Sequence, residues 1–331
     1  MTPPGAALAA DWQLWLIENL LNGAPREAVV EALVGAGLAP TLAAEQVEAV
    51  TGSDAFGRLA GAMDQAHWMA SSLRLRRRLA GPPTLPRVEA VSTETLRDDF
   101  HARNRPLVLT RLDPRPAALD RWGFDALAAR IGDVPVAVNT RRQDARSPAH
   151  IEQHAEEVSF GAFLERARTT PGDDAYLVSK NGLLANPAFA ALFEDLQPLP
   201  AFLDPGVFPK GVSLWIGPAG TVTPLHFDTH DVLLVQVVGR KRLRLLPPDH
   251  PGLYAHMDGY HCRYDVEHPE LEARAGVSAA DALDVVLSPG EALFLPVGWW
   301  HDVRALDPSV TLTFLNFRWF NHFHDHRPRS R

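Results

Sequence analysis

The residues able to do chemistry gather in the segment TPLHFDTHDVLLVQVVGRKRLRLLPP. His226 and Asp228 stand two apart, and on an extended strand side chains at i and i+2 project from one face. A neutral imidazole beside a carboxylate supplies two of the three ligands of a facial two-histidine, one-carboxylate site. Such a site holds non-haem iron(II) and keeps coordination positions open for oxygen chemistry. The third ligand must come from elsewhere in the fold, and His301, in PGEALFLPVGWWHDV, is the candidate. An H-x-D triplet alone is a weak signal in a chain with 14 histidines. His250, His256, His261 and His268 read as surface or hydrogen-bonding side chains. His230 differs from them because it continues the face of His226 and Asp228. His322, His324 and His326 cluster around Asp325 and read as a polar chain end rather than a metal site.

Elements must bring these residues together. From residue 211 onward the chain reads as short strands punctuated by glycine and proline: GVSLWIGP, DVLLVQVVG, KRLRLLPP, DVVLSPG, EALFLPV and SVTLTFLNFRWF. That texture predicts a sandwich or small barrel. Strands are also expected at 106–112 and 175–179, with helices near 124–131 and 160–169. Residues 11–80 instead show helical spacing: Trp12, Trp15, Leu16 and Leu20, then Val29, Val30, Leu33 and Val34. Asp11 is the expected first cap, Pro25 and Pro40 open the next helices, and a fourth spans about 54–80. Arg74, Arg76, Arg77 and Arg78 near its end read as a solvated terminus matched to the helix dipole. The division expected is a helical domain over 1–81, for substrate recognition or dimerisation, and a catalytic domain over 82–331. Residues 248–284 form a long insert between strands, read either as a border of the substrate channel or as a plain surface loop.

Composition narrows the partners. A net charge of −8 provides no overall basic field for a phosphate backbone, so nucleic acid is not expected. The one cysteine, Cys262, excludes an intrachain disulfide, and cysteine-ligated zinc is not expected. With no apolar run of roughly 18–20 residues and no basic, apolar leader, a membrane is not expected and a cytoplasmic location is.

Over residues 212–320, the stretches SLWIGPAGTVTPLHFD, GRKRLRLLPPD, PGEALFLPVGWWH and TLTFLNF resemble the JmjC, cupin-like group of 2-oxoglutarate oxygenases. Within that group they are most similar to the asparaginyl hydroxylase that acts on hypoxia-inducible factor. The resemblance implies an α+β fold, mainly β, with a double-stranded β-helix (jelly-roll) core behind the helical segment. It implies iron(II) on His226, Asp228 and His301, with 2-oxoglutarate and O2 as cosubstrates. It further implies that Lys241 binds the distal carboxylate of 2-oxoglutarate, with Thr223 and Tyr176 as hydroxyl donors. Asn316 would lie near the metal-bound end, and Leu234 and Val303 would be apolar walls. Strand parity agrees for the walls: Leu234 shares the parity of Asp228, and Val303 that of His301. The competing reading of Lys241 is a solvent-facing residue in a basic strand, between Arg240 and Arg242. Tyr176 reads equally as a core tyrosine, and Trp299 and Trp300 read as packing residues.

Departures bear on substrate. Val232 stands where the group often has a polar residue, and Val178 where the asparaginyl hydroxylase has a substrate-binding glutamine. The retained Asp228 argues against a halogenase. The leading expectation is hydroxylation of a protein or peptide side chain, with a small-molecule hydroxylase as the alternative. A demethylase ranks below these, since four tyrosines offer little for an aromatic cage. A non-catalytic cupin-like binding module ranks lower still. A homodimer remains open.

Overall fold

The computed structural model describes residues 9–178, 183 and 186–323. His324, Asp325 and His326 therefore lie outside the described residues. The chain divides into two compact units, one ending at Arg76 and one beginning at Arg77.

In the first unit, helices Ala10–Leu21, Arg26–Gly35 and Pro40–Thr51 close on Leu16, Val29, Leu33, Ala43 and Val47. Pro40 takes the first helical position, where its missing N–H costs nothing. Asp11 is not the cap: Ala9 is, without a side-chain bond, and Asp11 lies in the first turn, where its charge still favours the helix dipole. A 27-residue helix, Asp54–Ala80, follows, and none of its residues is buried.

The second unit carries the strands. One six-stranded sheet has the order β1 (Arg87–Val88), β2 (Leu107–Leu109), β13 (Ala292–Leu295), β8 (Val232–Val238), β15 (Ser309–Phe314), β6 (Val212–Gly217). The other runs β10 (Met257–Asp258), β11 (His261–Cys262), β7 (Val222–His226), β14 (Trp300–Ala305), β9 (Lys241–Leu246), β12 (Leu283–Leu287). A small sheet pairs β3 (Pro135–Thr140) with β4 (Ala155–Ser159) and β5 (Ala175–Tyr176). From β6 to β9, and again from β12 to β15, the chain alternates between the two large sheets, which is the winding of a double-stranded β-helix.

Period-two patterning sorts the side chains. Leu214 and Ile216 of β6, Leu233 and Val235 of β8, and Val310 and Leu312 of β15 join a core with the helices Phe124–Ile131 and Phe160–Thr169. Their alternate neighbours face the space between the sheets. There Val232, Leu234, Leu243, Leu245, Leu293 and Val303 form a second apolar cluster. Leu234 and Asp228 lie on different segments with a turn between them, so their shared parity has no physical meaning. Leu234 points inward because alternate residues of β8 do.

The insert between β9 and β12 is not a structureless loop, and none of its residues lines the cavity beside the triad. Leu253, Cys262, Val266, Leu271 and Val277 pack with Leu225, Phe227, Leu246 and Trp300. Its strand β11 pairs with β7, placing His261 opposite His226. The reason is burial: the outer face of β7, β9 and β14 is apolar and needs a cover.

The turn from β8 to β9 starts the strand that carries Lys241. Gly239 has φ +70°, and a Cβ there would come within 2.2 Å of the Pro308 carbonyl oxygen. The fully buried Gln236 side chain fixes this turn, donating to the carbonyls of Val238 (2.8 Å) and Gly239 (3.0 Å). Gly239→Ala is expected to lower stability by about 1–3 kcal/mol, from the left-handed backbone and the clash together. Urea unfolding measures it, and an unchanged midpoint would contradict the crowding at Pro308.

Candidate metal centre

β7 and β14 are antiparallel neighbours with His226 directly opposite His301. Beyond that pair the register shifts, so that Val303 faces Thr223 and β7 carries one extra residue. Pro224 lies in this bulge, a position that tolerates its missing N–H. Its freed carbonyl accepts from His226 Nδ1 at 2.7 Å. His301 Nδ1 likewise donates to the Trp299 carbonyl at 3.0 Å. Both rings are thereby set with Nε2 as the free ligand atom, the orientation that backbone acceptors give metal-binding histidines.

Asp228 lies just past the end of β7, yet alternation continues. The Phe227 N–H donates to the Tyr260 carbonyl and the Asp228 carbonyl accepts from the Gly298 N–H. Phe227 is buried in the outer cluster with Trp300, which turns His226 and Asp228 to the opposite side. One ligand atom from each of His226, Asp228 and His301 lies within 4.8 Å of the others. His301 Nε2 and an Asp228 oxygen are 3.6 Å apart, so bonds of about 2.0–2.2 Å from one ion reach both. Burial, and then the neighbouring His226, lower the His301 pKa to about 4 against the opposing pull of Asp228. His301 is thus a neutral imidazole at physiological pH, the form that ligates. The donor set fits a divalent transition metal with open positions.

The triad opens into a cavity of about 250 Å³. Thr223, Tyr176, Lys241, Leu234 and Val303 all line it. Lys241 is only 3% exposed, and its ammonium donates to the Tyr176 hydroxyl at 3.2 Å. Among the described residues no carboxylate forms an ion pair with it. Its basic neighbours are different. Arg240 pairs with Asp307, Arg242 with Asp284, and Arg244 with Asp302 and Asp265. These even-numbered arginines point away from the cavity and are neutralised, whereas Lys241 points in without a counter-ion. The solvent-facing reading of Lys241 therefore fails.

Asn316 departs from expectation. It does not line the cavity: alternation carries Thr311, Thr313 and Leu315 inward and turns Asn316 away. Its amide donates to the Asp204 carbonyl at 2.9 Å. Trp300 is wholly buried, and Trp299 is an anchor whose indole donates to Asn104 Oδ1 at 2.8 Å.

Several residues were not singled out from sequence. Ser213, Trp215, Thr311 and Thr313 add polar groups to the wall, legible only once β6 and β15 are known to flank it. His230, set apart in the sequence because it continues the face of His226 and Asp228, does line the cavity, and its Nε2 meets His322 Nδ1 at 3.2 Å, so His322 belongs to the folded unit. Asp231 is buried beneath the ligand loop. It accepts from the Val297 N–H (2.9 Å) and the Trp319 indole (3.3 Å) and meets His101 Nδ1 at 2.6 Å. It thereby ties the loop bearing Asp228 to the turn before His301. No spacing in the sequence signals that role.

The comparisons with known proteins agree with this geometry. Residues 92–326 match the family described as "Cupin-like domain". The chain belongs to that family. Among curated relatives, this cupin-like chain is 32% identical over 246 residues to the lysine-specific demethylase JMJ30 of Arabidopsis thaliana, covering 70% of this chain and 55% of that protein. It is 29% identical over 250 residues to lysine-specific demethylase 8 of Xenopus tropicalis, covering 70% and 52%. It is 38% identical over 156 residues to human HSPB1-associated protein 1, covering 43% and 31%. The chain thus spans about half the length of the first two of these relatives. The broad resemblance to JmjC, cupin-like proteins is supported, while the narrower one, to the asparaginyl hydroxylase, is not among these relatives. Family, fold and triad together support an iron- and 2-oxoglutarate-type oxygenase.

His226→Ala and His301→Ala should each abolish tight binding of iron(II), followed anaerobically by calorimetry. His261→Ala, whose ring stacks on His226 with centroids 5.3 Å apart but lies outside the cavity, should retain it. Equal loss in all three would show that the ligand set is misassigned.

Proposed function

We propose that the protein is an iron(II)- and 2-oxoglutarate-dependent oxygenase that hydroxylates a side chain of a polypeptide. The observation that carries this reading is the buried ammonium of Lys241, which has no carboxylate partner among the described residues, in the same small cavity as the His226, Asp228 and His301 triad. A charge withdrawn from water needs a partner. The partner that fits is the distal carboxylate of a dicarboxylic 2-oxo acid, with the Tyr176 and Thr223 hydroxyls as further donors. The triad would hold iron(II), which when bound, with O2, couples oxidative decarboxylation of 2-oxoglutarate to oxidation of a C–H bond. The chain's own contribution is positional. Lys241 fixes the far end of the cosubstrate, and Leu234, Val303 and Leu295 keep water from its middle. The Pro224 and Trp299 carbonyls hold the imidazoles in their ligating tautomer.

A second reading, removal of N-methyl groups from lysine, rests on the printed names of two relatives. Against it stands the cavity wall. Its two aromatic residues, Tyr176 and Trp215, lie together with ring centroids 5.9 Å apart, and the Lys241 ammonium lies 5.5 Å from the Tyr176 ring centroid. That aromatic surface already serves a cation of the protein, so it does not form a cage for a methylated ammonium.

Lys241→Met separates binding from folding. Replacing an unpaired buried charge by an apolar isostere should leave unfolding of the ligand-free protein unchanged or raise its midpoint. Affinity for 2-oxoglutarate should fall about 100-fold or more, the usual consequence of removing one member of a buried ion pair. Wild-type affinity in the variant would remove the basis of this reading. Mass spectrometry of peptides incubated with iron(II), 2-oxoglutarate and O2 then tells gain of one oxygen from loss of a methyl group.

A further inference from the structure

An ion pair with a buried arginine lies against the cavity wall and is not used in the chemistry above. β3 ends at Thr140, Arg141 takes a left-handed backbone (φ +52°), and Arg142 follows, only 3% exposed. Its Nε donates to Asp173 Oδ1 at 3.2 Å, and its Nη2 donates to the Val222 carbonyl. The same Asp173 oxygen accepts from the Val222 N–H at 2.8 Å. Val222 opens β7. The Ala305 N–H donates to the Thr221 carbonyl, so the N–H and C=O of Val222, the next residue, both point away from β14. On that side β11 meets β7 further along, at His226, and among the described residues no strand lies beside Val222. Backbone groups turned into the protein need partners. The ion pair supplies one donor and one acceptor where a neighbouring strand would.

The same guanidinium covers the tyrosine of the cavity. Its central carbon lies 5.1 Å from the Tyr176 ring centroid. The Arg142 N–H also donates to Asp174 Oδ1 at 3.2 Å, so the approach to β5 is held at two successive residues. One residue is thus fastened to both strands that carry hydroxyls beside Lys241: to β7 one residue before Thr223, and to β5 at Tyr176. Arg142 does not itself line the cavity. An arginine suits the place, because its planar fork makes several directed bonds and stacks on a ring at once, which a lysine ammonium cannot do. We infer that Arg142, held by Asp173, is a positioning residue that sets the Thr223 and Tyr176 hydroxyls for the distal carboxylate of the 2-oxo acid. The inference rests on the oxygenase reading and adds to it a residue that touches neither metal nor cosubstrate.

Arg142→Lys keeps a cation for Asp173 but cannot hold Val222 and the ring together. It should weaken 2-oxoglutarate binding, followed anaerobically by calorimetry on the iron(II)-loaded full chain, by about 10-fold, the lower end of what loss of an outer partner costs a metal site. Iron(II) affinity should stay at the wild-type level, because the Pro224 and Trp299 carbonyls orient the imidazoles. Coupling is the readout that a merely structural role would not move. In a chain carrying Tyr176→Phe and Thr223→Val, which lacks both hydroxyls, Arg142→Lys should cost no more than about 2-fold further. If Arg142→Lys does not fold, Arg142→Met combined with Asp173→Asn takes its place with the same expectations, since removing both charges leaves neither buried alone. Unchanged 2-oxoglutarate affinity beside a large loss in Lys241→Met overturns the positioning role and leaves the oxygenase reading standing. Equal losses of iron(II) and 2-oxoglutarate affinity also overturn it, as does an undiminished loss in the chain without the two hydroxyls. A wild-type protein that binds iron(II) but no 2-oxoglutarate overturns both.

Discussion

The antiparallel pairing of β7 with β14 is the constraint on which the site depends. It sets two histidines, 75 positions apart in the chain, opposite one another, and its single extra residue frees a carbonyl to orient one of them. A register slip of one residue would turn His301 out of the cavity and Asp302 into it. The neighbouring ladders resist such a slip. β14 is held along its whole length by β9, and Asp302 is locked to Arg244 on the outer face. The metal geometry is therefore a by-product of how the second sheet is clamped on both of its faces, one by the apolar cluster inside the sandwich and one by the insert packed around Trp300.

Within this frame the interior is divided. The space between the sheets is an apolar cluster at one end and a polar cavity at the other. The change comes within single strands: β9 carries Lys241 at its start and Leu243 and Leu245 further on, all on the inward parity. An ammonium placed there interacts with the Tyr176 ring and hydroxyl. Neutral groups of this kind lower the cost of burying a cation without neutralising it. The site is in effect pre-charged for an anion, and the same desolvation that destabilises the empty cavity strengthens the attraction to an acid that enters it.

Much of this was legible in the residues. His226, Asp228 and His301 were readable from residue type and strand period, because a metal site demands side chains of fixed chemistry. The helices at 124–131 and 160–169 and the strands β6, β8, β9, β12, β13 and β15 follow from local patterning. β7 was obscured by Pro224 and β14 by its mixture of charged and aromatic residues, since both faces of these strands are occupied by unlike environments. The fate of the insert was hidden for the same reason: its apolar residues are spaced irregularly, and only the exposed back of β7 and β14 explains them. Asn316 failed because the likeness pointed to its type and position, while its direction depends on where the alternation of β15 places residue 315.

The four basic residues at 240, 241, 242 and 244 show how a fold reads charge more finely than composition does. By sequence they are one basic strand. In the sheet, parity separates them, and the chain then treats the two sets differently. Each arginine is given carboxylates, from Asp307, Asp284, Asp302 and Asp265, and its planar fork suits such pairing. The lysine, a compact charge on a flexible stem, is given an aromatic ring and a hydroxyl and, among the described residues, no acid. A carboxylate supplied by the protein at that point would satisfy Lys241 permanently and close the cavity to any acidic ligand. Leaving it out keeps the charge available, at a cost to the stability of the empty protein that its paired arginine neighbours do not incur.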